Sequence, residues 1–75
     1  MSLTSEEQEY IKKLGKKIAL IRKEQGLTQK DLGFAINVEE SAIGRIEGGG
    51  TNPTLKTILR IAKALNTSAS ELISV

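Results

Sequence analysis

The sequence offers little for covalent or acid–base chemistry. Its 75 residues include neither histidine nor cysteine, so the commonest general base, the thiolate nucleophile and the usual thiolate or imidazole metal ligands are missing. No catalytic residue, metal site, cofactor or small-molecule ligand is expected. What remains is hydrogen bonding by charged side chains. Arg45 carries a guanidinium able to pair bidentately with the edge of guanine or with a phosphate, although an arbitrary exposed arginine is usually just solvated. The carboxylates of Glu39 and Glu40 are repelled by phosphate, yet either can accept a hydrogen bond from cytosine N4. Gly44 to Thr51 superficially resembles a phosphate-cradling loop, but no lysine follows Gly49 and no strand precedes it, so nucleotide binding is rejected there.

Charge permits a polyanionic partner without demanding one: 11 lysines and arginines against 9 acids leave a net +2. Lys12, Lys13, Lys16, Lys17, Arg22 and Lys23 crowd one segment. Such a run usually marks a solvated helix face, with attraction to a phosphate backbone as the alternative. No apolar run approaches the ~18 residues of a membrane span, and the N-terminus has no signal-peptide core. A soluble cytoplasmic protein without a membrane partner is the expectation. The length suits one domain, residues 1–75, whose core must come from efficient packing of a few elements.

Those elements read as helices throughout. Residues 1–4 are a tail that can be disordered, although Thr4 with Glu7 also fits a capping box. Ile11, Leu14, Ile18 and Ile21 then recur at helical spacing in a first helix, Ser5 to about Gln25. Gly26 is placed to end it in a left-handed cap, with Leu27 folding back. Thr28 caps a second helix, Gln29 to about Ile36, and Asn37 supplies left-handed backbone for a sharp turn. A third helix, about Glu39 to Glu47, buries Ile43 and Ile46. The loop from Gly48 to Pro53 stops it. Thr54 caps a fourth helix with Leu55, Ile58, Leu59, Ile61, Ala62 and Leu65, dense enough to centre the core. Ser68 with Glu71 forms a further capping box for a short last helix carrying Leu72 and Ile73.

The informative constellation lies between Gln29 and Glu47. Two helices joined by a tight turn pack steeply only if a small residue lies at their crossing, and Gly33 supplies it. Leu32, Ile36, Val38, Ile43 and Ile46 hold the pair against the rest of the domain, which presents the start of the second of these helices to a DNA major groove. The stretches Leu14 to Gln29, Asp31 to Gly33, Ile43 to Glu47, Asn52 to Leu55 and Ile61 to Leu65 resemble, in order and spacing, the phage-repressor and Cro-type helix-turn-helix regulators, the XRE family. An aromatic at Phe34 adds a likeness to the restriction-modification controllers within that family.

The resemblance implies an all-α, five-helix, lambda-repressor-like domain that binds double-stranded DNA as a homodimer and regulates transcription, nucleoid-associated in the cytoplasm and not an enzyme. It implies that Gln29 contacts phosphate, that Glu39, Glu40, Ser41 and Arg45 reach base edges, and that Asn52 and Thr54 meet phosphates. It also implies an ion pair, Arg22 with Glu47, tying the first helix to the third. Leu72, Ile73 and Val75 are read as the dimer interface. The sequence departs from the pattern at Gly33 for alanine, Asn37 for glycine, Glu39 for a Ser or Thr cap, and Gly44 within the recognition helix. Acidic Glu39 and Glu40 motivate the alternative, a protein-interaction module or antitoxin-type partner with weak or no operator binding. Phe34 and Leu20 stand where the family is often polar, as a partner surface or as side chains folded onto neighbouring helices.

Overall fold

The computed structural model describes residues 2–75. Among these, five helices follow one another: α1 (Ser5–Glu24), α2 (Gln29–Ile36), α3 (Glu40–Glu47), α4 (Leu55–Ala64) and α5 (Ala69–Ile73). Each starts for a local reason. Thr4, Thr28, Thr54 and Ser68 all have extended backbone, and each side-chain oxygen accepts from the N–H three residues on, satisfying a donor the helix itself leaves open. Thr4 is the N-cap of α1, with the capping box to Glu7 formed; Met1 lies outside the described residues.

Two caps differ from their sequence reading. Asp31 closes a capping box with Thr28, its carboxylate accepting from the Thr28 N–H at 2.8 Å, although the usual partner at this position is Glu or Gln. The Ser68 box forms only by half: Ser68 Oγ accepts from the Glu71 N–H, while the Glu71 carboxylate pairs across helices with Lys17 at 3.3 Å. The turns reverse through left-handed residues. Gly26 has φ +73° and Asn37 φ +59°, where glycine and asparagine are the least strained residues. Asn66, at φ +56°, does the same between α4 and α5.

The core collects Leu14 and Ile18 of α1, Leu32 and Ile36 of α2, Ile43 and Ile46 of α3, Ile58, Ile61, Ala62 and Leu65 around α4, and Leu72 of α5. Two of the apolar residues expected to centre it do not enter. Leu55 is 68% exposed and Leu59 is also exposed, because a stripe of six apolar residues is wider than the face of α4 that neighbouring helices cover. Leu72 moves the other way. At 0% exposure it is a core residue of this chain and has no surface for a partner, since one large apolar side chain is what anchors so short a helix. Its neighbours Ile73 and Val75 stay exposed, and the Tyr10 hydroxyl donates to the Ile73 carbonyl, fastening the chain end to α1.

Two glycines set the closest helix approaches. A Cβ on Gly33 would stand 2.7 Å from the Val38 carbonyl oxygen, inside the α2–α3 turn that the Val38 N–H closes on Gly33 O at 2.8 Å. A Cβ on Gly15 would fall on the Ile46 carbonyl and 2.6 Å from that of Glu47. Backbone of α1 thus lies directly against the end of α3. Among the described residues, no helix is long and apolar enough to cross a membrane.

Candidate nucleic-acid interface

The residues from Gln29 to Glu47 form two eight-residue helices, α2 and α3, hinged at Asn37. The inner side of α3 is fixed by Ile43 and Ile46 and by a buried carboxylate, Glu47. Arg22 of α1 meets that carboxylate bidentately: Nε donates to Oε2 at 2.6 Å and Nη2 to Oε1 at 2.9 Å. The third guanidinium nitrogen, Nη1, donates to the Leu27 carbonyl at 2.7 Å. These hydrogen bonds to Glu47 raise the Arg22 pKa, against the opposing effect of burial. Buried pairs hold only with such complete partnering. No buried side-chain nitrogen or oxygen among the described residues lacks a partner.

A third donor completes the set. Gln29 Nε2 donates to Glu47 Oε1 at 3.0 Å, so one carboxylate ties α1, α2 and α3 together. The Gln29 amide lies over Gly44, whose hypothetical Cβ would be 3.6 Å from Gln29 Oε1. This contact was not foreseen from the sequence. The sequence carries no local signal for it, because Gln29 and Glu47 lie 18 residues apart and on different helices.

The outer side of α3 is open. Ser41 and Arg45, four residues apart and therefore one turn apart on one face, are both exposed, as are Glu39 and Glu40 at its start. Glu39 has the extended backbone of an N-cap but makes no side-chain cap bond. The first N–H groups of α3 are thereby left to solvent. Asn52 is exposed in the loop after α3, and Thr54, also exposed, spends its hydroxyl on Thr57 at the start of α4. The fold thus places Glu40, Ser41 and Arg45 on α3 and Glu39 at its N-cap. Gln29 is turned partly inward, and Asn52 and Thr54 belong to the following loop and cap. Phe34 does not fold onto its neighbours; at 89% it is the most exposed large apolar side chain described.

Comparison with known proteins agrees with this arrangement. The sequence profile of the HTH_3 family, helix-turn-helix, matches residues 18–72. The chain is 33% identical over 63 residues to the HTH-type transcriptional regulator y4dJ of Sinorhizobium fredii, covering 84% of this chain and 82% of that protein. It is 35% identical over 69 residues to an HTH-type transcriptional regulator of Haemophilus influenzae, covering 84% and 70%. Among solved structures it resembles the restriction-modification controller protein C.AhdI from Aeromonas hydrophila, with a TM-score of 0.81 at 34% identity over 83% of this chain and 94% of that one. A helix pair with a locked inner face and an open outer one, matched by profile, relatives and fold alike, means that this chain belongs to the HTH_3 helix-turn-helix family of DNA-binding transcriptional regulators.

Proposed function

We propose that this regulator binds a two-fold symmetric operator as a homodimer, with α3 of each protomer in the major groove of one half-site. The observation that carries the reading is the contrast between the two sides of α3: Arg22, Glu47 and Gln29 hold its inner side, while Ser41 and Arg45 stand free on the outer. A rigid helix with free polar side chains suits base readout. On this reading Arg45 pairs with guanine, Ser41, Glu39 and Glu40 complete the base contacts, and Gln29, Asn52 and Thr54 meet phosphates. Exposed Ile73 and Val75, together with Leu55 and Leu59 of α4, support a two-fold contact through the α4 and α5 side of the molecule. Similarity to C.AhdI supports a role of the restriction-controller type.

Selection of bound sequences from random DNA tests this. An inverted repeat is expected, with half-site centres about 34 Å apart, one helical turn. Recovery of single asymmetric sites, each binding one chain, would overturn the dimeric reading. A second reading, a protein-interaction module with little operator affinity, is favoured by the two exposed carboxylates Glu39 and Glu40 at the start of α3. It wins if no sequence is enriched.

A further inference from the structure

Four of the exposed apolar side chains, Leu55, Leu59, Ile73 and Val75, are those assigned above to the two-fold contact, and Tyr10 is bonded to Ile73. Leu3, Leu20 and Phe34 have no such use, and of these Phe34 and Leu20 are the more exposed. Phe34 projects from α2 beside an open groove floored by Leu27, Gly33 and Val38. The rim carries Asp31, Glu39 and Glu40 against a single cation, Lys30. Leu20, 55% exposed, stands on the outer face of α1 in the opposite setting. Lys16 lies one turn back, Lys23 and Glu24 one turn on, all exposed, and Lys13 two turns back, so cations outnumber the one acid on this face. None of these three lysines is paired among the described residues; the ion pairs present are Lys17 with Glu71 and Arg22 with Glu47.

An apolar groove with an acidic rim and an exposed leucine on a mainly cationic helix face are complementary in both hydrophobicity and charge. DNA is a poor occupant of the groove, because three carboxylates would face phosphate. We propose that the Phe34 groove takes the Leu20 face of α1 from a second copy of this chain. Because the two surfaces differ, the contact is head to tail and separate from any two-fold interface, and it can add copies without closing. It also brings lysines beside Glu39 and Glu40. Glu39 and Glu40 cannot line this contact and reach base edges at once, so where the DNA-binding reading holds, association and DNA binding compete.

The contact is testable without DNA, so its failure is distinct from failure of the operator reading. The background is the full chain with Ile73→Ser and Val75→Ser, which weakens the two-fold contact, followed by sedimentation at rising concentration. Concentration-dependent association beyond the monomer is expected at low salt, weakened about tenfold or more by Phe34→Ser or by Leu20→Ser and reduced by added salt. Both positions are exposed, and unchanged thermal unfolding confirms that the variants fold. The decisive arm mixes the two variants. The Phe34→Ser chain keeps an intact Leu20 face and the Leu20→Ser chain an intact groove, so the mixture forms a one-to-one dimer that neither chain forms alone. A monomeric background at millimolar concentration and low salt, association untouched by both substitutions, or no rescue on mixing each overturns the proposal.

Discussion

Glu47 is the residue on which α3 depends, because its carboxylate accepts from Arg22 and Gln29 at once. Glu47→Ala should leave the Arg22 guanidinium buried and uncompensated, costing ~3–5 kcal/mol in denaturant unfolding, whereas Arg22→Met with Glu47→Leu should recover most of that loss. A double variant no more stable than the single would mean that packing, not charge, sets the cost. On the open side, Arg45→Ala should lose ~1–3 kcal/mol on the selected operator and relax choice at one base position, with a smaller effect on arbitrary DNA. Glu40→Gln provides a contrast measurable in the same binding assay. Uniform tightening on all sequences would mark Glu40 as a carboxylate that only repels phosphate; altered preference at one position would mark it as a base reader.

Helix starts and crossings carry separate expectations. The Asp31 carboxyl is held below its ordinary value, first by the Thr28 backbone N–H and then by the Thr28 side chain. A folded-state pKa below the unfolded one gives stability that is present above the unfolded value of about 3.9 and lost as pH falls through the folded value. The difference in melting temperature between the parent and Asp31→Asn should therefore be flat near neutral pH and shrink on acidification below about pH 4. At the α1–α3 crossing, Gly15→Ala must push backbone against backbone, and a destabilisation of about 1–3 kcal/mol is expected from overpacking. Unfolding of that variant at the parental denaturant midpoint would show that the crossing can open without cost.

The whole molecule carries only a small net charge, +2, yet its charges are not evenly spread: lysines lie along α1, and acids at the start of α3 and around the Phe34 groove. Operator affinity should fall steeply with added salt, because phosphate contacts release counterions. If log affinity plotted against log salt is flat, backbone contacts contribute nothing and the interaction-module reading gains. Any head-to-tail contact would add its own salt dependence, which is why the solution measurement is made without DNA.

How much of this was legible in the sequence depended on how local each feature is. Caps at Thr4, Thr28, Thr54 and Ser68, the left-handed turn at Asn37 and the five helices follow from side-chain and backbone chemistry within a few residues, so the sequence by itself determined them. Gly33, Asn37, Ile43 and Ile46 likewise mark a tightly turned helix pair, and the stretches from Leu14 to Leu65 quoted above carry the likeness to the family. Only the tertiary structure decided which apolar residues of a wide stripe are covered, placing Leu55 and Leu59 outside and Leu72 in the core. It alone turned the Gln29 amide onto Glu47, brought Gly15 against α3 and left Phe34 bare. Periodicity tells a helix which side is apolar, but the width of the face that is buried is set by where the other helices cross it, and that depends on residues far apart in the chain.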